Sequence, residues 1–183
     1  MLKPKLSAYA VNLAQLAEPD IEQVRLWRNT DFVRKQMVNQ DLISREQQQA
    51  WFYSLGQKQD QQHFMIDYKS QPIGVINIRA LDTNSLLTAK QAEVGLYIGN
   101  DKYQNNFIAF APSLVINDYA FTHLKIDRLA SKVRKTNLAA LKYNQQLGYL
   151  IGEDDNDEFN AIELTADNYN KATTQIKNWL SRG

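Results

Sequence analysis

The hydrophobic period of this chain switches repeatedly between helical and extended spacing, and the order of those switches limits the fold more than any single residue does. From Pro19 to Arg28, Ile21, Val24 and Trp27 recur at threefold spacing, which puts them on one helical stripe. Pro19 suits a first helical turn. Ser44 followed by Gln47 is a capping-box pattern, so a second helix is expected to run to about Leu55 and to bury Trp51, Phe52 and Leu55. The spacing then turns extended. Residues 8–13 and His63 to Tyr68 read as strands. Lys69 to Pro72 reads as a turn, and the β-branched run Ile73 to Leu81 as the returning arm of a hairpin. Ala92 to Ile98 is a further strand.

Helix and strand then alternate. Phe107 to Leu124 carries Ile108, Ala111, Val115 and Tyr119 at helical gaps. Pro112 is tolerated near a first turn and costly in mid-helix, so the helix should begin near Ile108 or Ala109. Arg128 to Val133 is a strand, and Leu138 to Leu147 a helix that Gly148 can close. The acidic run Glu153 to Glu158 reads as an exposed hairpin loop. Phe159 to Leu164 is a strand, and a last helix carries Ile176 and Trp179. Interleaving of this kind predicts an α/β or α+β layer around a mixed sheet, with residues 1–183 as one domain.

Composition removes several classes of function. The chain has no Cys, which excludes disulfides, thiolate metal sites and Cys nucleophiles. Only His63 and His123 can offer imidazole, so no metal is expected. A net charge of +1 with scattered basic residues argues against binding nucleic acid. No stretch approaches the roughly 20 apolar residues of a membrane span, and the N-terminus lacks the apolar core of a signal peptide. The expected location is cytoplasmic.

Two segments carry a family resemblance. AEVGLYIGNDKYQNNFIAFAPSLVINDYAF, residues 92–121, resembles the strand, pyrophosphate loop and helix of the GNAT N-acetyltransferases. RLASKVRKTNLAALKYNQQLGY, residues 128–149, resembles their next strand and helix. The segment LWRNTDFVRKQM, residues 26–37, with the helix around Trp51, is similar to the PseH-like branch, whose members acetylate nucleotide-linked amino sugars. The RimJ/RimL enzymes, which acetylate protein N-termini, are cousins. The resemblance implies the GNAT fold, a mixed and mostly antiparallel sheet of six to seven strands flanked by helices. It implies acetyl-CoA as co-substrate, a small-molecule primary amine as acceptor, and a monomer or homodimer.

The residues support that chemistry. A helix N-terminus offers free N–H groups and partial positive charge to a pyrophosphate. The matching loop here is Gln104, Asn105, Asn106, Phe107, Ile108 and Ala109, with Phe107 where the family has Gly. The strand before it, through Tyr97, Ile98 and Gly99, should splay from its neighbour. Its backbone then binds the pantetheine arm and polarises the thioester carbonyl. Asn137 opens the next helix, as an N-cap, a pantetheine contact, or both. Many relatives place a Tyr acid two turns further on. Here Asn144 stands there, with Tyr143 beside it. Glu93 is the expected base, acting through water, with a cross-strand ion pair as its bland alternative. His63 is a second base candidate. Trp27, Arg28 and Asn29 are the expected acceptor-side group, by stacking and phosphate contact. Two rival readings stay open: a RimJ/RimL-like protein N-terminal acetyltransferase, and a degenerate GNAT domain that only binds.

Overall fold

The computed structural model describes residues 6–154 and 158–181. Eight strands form one sheet in the order β1-β2-β3-β4-β5-β6-β8-β7. They are β1 (Leu6–Ala8), β2 (Val11–Gln15), β3 (Gln61–Tyr68), β4 (Gln71–Ala80), β5 (Gln91–Ile98), β6 (Arg128–Arg134), β7 (Leu150–Asp154) and β8 (Phe159–Thr165). Every neighbouring pair is antiparallel except β5 and β6. The helices are α1 (Ile21–Asn29), α2 (Asp31–Arg34), α3 (Arg45–Leu55), α4 (Phe110–Thr122), α5 (Leu138–Gln146) and α6 (Ala166–Leu180). None of them is long and apolar enough to cross a membrane.

The first strand expected, residues 8–13, is in fact the tip of a hairpin. Tyr9 and Ala10 both have left-handed φ, 53° and 66°, and reverse the chain between β1 and β2. Lys69 and Ser70 repeat the device between β3 and β4, at 49° and 60°. A tight hairpin of this kind normally announces itself by Asn-Gly or Asp-Gly. Tyr-Ala carries no such signal, and for that reason the sheet has one strand more than expected. Of the expected loop Glu153 to Glu158, Glu153 and Asp154 instead end β7, and residues 155–157 lie outside the described residues.

Two apolar clusters cover the two faces of the sheet. The larger joins Phe64, Ile66, Ile76, Ile78 and Leu129 to Leu114, Ile116 and Leu141 of α4 and α5, and to Tyr169 of α6. α4 is buried almost all round, polar Ser113 and Asn117 included, because the sheet lies on one side and α6 on the other. Such a helix has no single apolar stripe. The smaller cluster holds Leu16, Val24, Trp27, Met65 and Val75 under α1 and α3, with Trp51, Phe52 and Tyr97 packed at its margin. Ser44 and Gln47 make the reciprocal capping box that starts α3. The buried side chain of α3 is Gln48, while Trp51, Phe52 and Leu55 are half-buried.

Candidate functional site

The sheet opens between its only two parallel strands. β5 and β6 pair solely at Gln91–Arg128 and Ala92–Leu129, then part. On its other side β5 stays bonded to β4 as far as Gly74–Ile98. At the two ends of that ladder, Leu81 N–H donates to the Gln91 carbonyl at 2.9 Å and Gly99 N–H to the Ile73 carbonyl at 2.9 Å. Backbone direction alternates along a strand, so the odd-numbered residues of β5 spend their amides on β4. The N–H and C=O groups of Val94, Leu96 and Ile98 therefore face the opening. An extended ligand laid there can pair with them as a surrogate strand.

The loop that follows completes a donor set. Asn100 caps the turn Asp101–Tyr103, accepting from Lys102 N–H. Asn105 takes a left-handed φ of 55°. Asn106 then caps a 3-10 turn, Phe107–Ala109, by accepting from Ile108 N–H at 3.0 Å. The turn feeds α4, where Pro112 falls in the first turn and interrupts no ladder bond. Among the described residues, the N–H groups of Asn105, Asn106 and Phe107 have no protein acceptor. The Phe107 ring turns away onto Phe110 and Trp179, at centroid distances of 5.4 and 6.1 Å. Its bulk therefore leaves its own N–H open to an anion.

Asn137 starts α5 across the opening. Its Oδ1 accepts from Ala140 N–H at 3.0 Å, so it is the N-cap, and among the described residues its Nδ2 has no partner. Asn144 is half-buried, and its amide donates back to the Ala140 carbonyl at 2.8 Å. The Tyr143 hydroxyl donates to the Ala109 carbonyl at 2.8 Å and lies 2.7 Å from Ser113 Oγ. Its ring stacks on Phe110 at 4.6 Å, and burial pushes the phenol well above its usual range. The hydroxyl thus ties α5 to the start of α4.

Glu93 sits one residue past the last β5–β6 pair. Its carboxylate accepts from Arg79 Nη2 at 2.7 Å across the strands and from the Ser131 hydroxyl at 2.9 Å across the opening. The cross-strand ion pair that sequence offers as the alternative for Glu93 is thus present, though its partner depends on register and is not named by sequence. His63 lies two strands away. Burial holds its imidazole down to about 4, with Lys58 adding to the shift and Asp60 opposing it. Its Nε2 is 2.9 Å from Gln61 Oε1, and Trp51 meets the ring edge-on at 5.1 Å.

The acceptor-side trio is divided. Trp27 is a core residue, 8% exposed, packed on Gly99. Asn29 is spent on Ile43: its amide donates to that carbonyl at 2.9 Å and its Oδ1 accepts from that N–H at 2.8 Å. It thereby fastens α1 to the segment leading into α3. Arg28 is different. Its guanidinium is half-buried, and Nη1 is interior without any hydrogen-bond partner. The nearby Tyr97 hydroxyl is likewise buried and unpartnered. Burial lowers the Arg28 pKa and raises that of Tyr97, while each favours the other's charged form. The two make a polar junction between α1 and β5 that no protein acceptor completes. Among the described residues, no group of three His, Cys, Asp or Glu side chains is placed to hold a metal.

Known proteins resemble this chain in sequence and fold. The Campylobacter jejuni acetyltransferase PseH is 30% identical over 149 residues, covering 80% of this chain and 87% of its own. Its crystal structure in complex with acetyl coenzyme A superposes with a TM-score of 0.65 at 26% identity, over 85% of this chain and 99% of that one. FdhC, described as a nucleotide-linked sugar GNAT, has the same fold with a TM-score of 0.78 at 18% identity, over 98% of this chain and 99% of its own. The acetyltransferase (GNAT) domain family matches residues 11–150, and the chain belongs to that family.

Proposed function

We propose that the protein transfers the acetyl group of acetyl-CoA to a primary amine carried by a nucleotide-linked amino sugar. The observation that carries this reading is the opening between β5 and β6, with unpaired strand amides leading to a loop of unspent N–H groups. Acetyl-CoA supplies the activated acetyl group as a thioester. The chain supplies the frame. Val94, Leu96 and Ile98 pair with the amides of the pantetheine arm, and Asn137 Nδ2 meets it from α5. The amides of Asn105, Asn106 and Phe107, beside Gln104, Ile108 and Ala109, take the pyrophosphate. A strand N–H aimed into the opening stabilises the carbonyl oxygen as negative charge develops on it.

Attack needs a neutral amine. Glu93 receives its proton through a water, while Arg79 and Ser131 hold the carboxylate in place. Tyr143 and Asn144 border the leaving sulfur. The Tyr143 proton is engaged by Ala109, so the sulfur departs as a thiolate. Arg28 and Tyr97 face the acceptor. A half-buried guanidinium without a carboxylate partner is a natural receptor for a phosphate oxygen, and a nucleotide-linked sugar brings two phosphates.

The test is release of free thiol from acetyl-CoA with a panel of nucleotide-linked amino sugars, free amino sugars and N-terminal peptides. Turnover with the nucleotide-linked class is the expected outcome. Turnover with peptides while sugars stay inert, or no binding of acetyl-CoA, would overturn the proposal.

A further inference from the structure

Phe107 and Trp179 form an exposed aromatic surface at the rim of the phosphate-binding loop. Phe107 is 44% exposed and Trp179 60% exposed. The last helix, which the sequence expects to carry Ile176 and Trp179, turns the Trp179 ring toward Phe107. The two rings meet at 6.1 Å and 52°, so neither covers the other's face. They are held from beneath. Phe107 rests on Phe110 at 5.4 Å, and Phe110 stacks on Tyr143 at 4.6 Å. Tyr143 is fixed in turn by the Ala109 carbonyl. A row of rings therefore runs from the α4–α5 contact out to the exposed rings of Phe107 and Trp179.

A large exposed aromatic patch beside a ligand subsite marks a recognition surface. The occupant follows from the neighbouring groups. Phe107 contributes an unspent N–H to the anion site and an exposed ring to the patch, so whatever stacks there is attached to the anion by a short link. Acetyl-CoA carries one aromatic group, its adenine, joined to the pyrophosphate through a single ribose. Lys177, two residues before Trp179 on α6, is committed to Asp118 at 2.7 Å, and an uncharged base fits the two exposed rings. The geometry points to Phe107 and Trp179 as a stacking platform for the adenine of acetyl-CoA. This rests on the acetyl-CoA reading above. In this reading the ring that stands where the family has glycine adds a contact to the co-substrate.

The experiment compares two ligands on three proteins by calorimetry. The ligands are acetyl-CoA and acetyl-phosphopantetheine, which keeps the thioester arm and one phosphate but lacks the nucleoside. The proteins are the native chain, Trp179→Ala and Phe107→Gly. Stacking on one aromatic side chain contributes enough that each variant should bind acetyl-CoA about tenfold more weakly, with acetyl-phosphopantetheine unchanged. Adenosine 3′,5′-bisphosphate should also quench native tryptophan fluorescence, and fail to do so in Trp179→Phe. Equal weakening for both ligands would overturn the platform, because it would mean a distorted loop. Unchanged acetyl-CoA affinity in both variants would overturn it as well. So would a Trp179→Ala effect confined to the sedimenting mass, which would make the patch a contact between copies. Failure of the native chain to bind acetyl-CoA would instead sink the underlying reading.

Discussion

The indole of Trp27 lies directly against the α-carbon of Gly99: a methyl group built there would come within 2.2 Å of the ring. Gly99 follows the last residue of β5, and Trp27 precedes Arg28 on α1. This contact therefore sets how closely α1 approaches the strand that lines the opening. Gly99→Ala should force the indole aside, costing about 1–3 kcal/mol as overpacking does. Urea unfolding should show a lower midpoint. The acceptor KM should rise more than the acetyl-CoA KM, because the displaced helix carries Arg28.

Arg28 should separate stability from function. Its interior Nη1 has no partner, so its burial is a cost in the free protein. Arg28→Met should leave the melting temperature unchanged or higher. The same variant should raise the acceptor KM at least about tenfold, the loss expected of a charge-assisted hydrogen bond. Steady-state kinetics beside a thermal melt checks both halves.

Glu93→Gln keeps the shape of the Arg79 and Ser131 contacts and removes the carboxylate proposed as base. It should lower kcat by about 10²–10⁴-fold with little change in acetyl-CoA binding. An equal loss in His63→Gln, with Glu93→Gln unaffected, would move the base to β3.

Tyr143→Phe removes a hydroxyl held by Ala109 and Ser113. It should cost about 1 kcal/mol of stability, as one buried hydrogen bond does. It should leave the alkaline limb of the kcat–pH profile in place. Loss of that limb would instead assign Tyr143 as the acid.

His63 makes stability depend on pH. Its imidazole is held down to about 4 in the folded chain, against about 6.5 when unfolded. Between those values the unfolded chain binds more protons, so stability rises with pH across that window. It is fully present above about 6.5 and is lost as pH falls toward 4. The midpoint of unfolding should drop over that interval in the native chain, and drop less in His63→Gln.

Sequence by itself determined the elements that rest on local rules. The capping box of Ser44 and Gln47, the placement of Pro112 and the left-handed Gly148, at φ 96°, are all written in short patterns. So were the strand–loop–helix segments that mark the family. The turn capped by Asn106 and the N-cap Asn137 likewise rest on local residues. What sequence could not resolve were relations across distance. The Tyr9-Ala10 reversal lacks the residues that normally signal a tight turn. The pairing of Glu93 with Arg79 and Ser131 follows from register, which no single strand encodes. Trp27, Arg28 and Asn29 read as one group along the chain. Successive helical residues point about 100° apart, so packing sent Trp27 into the core, Asn29 to Ile43 and Arg28 toward Tyr97. Phe107 stands where the family has glycine. Only the arrival of Phe110 and Trp179 from other turns and another helix decided which way its ring would face.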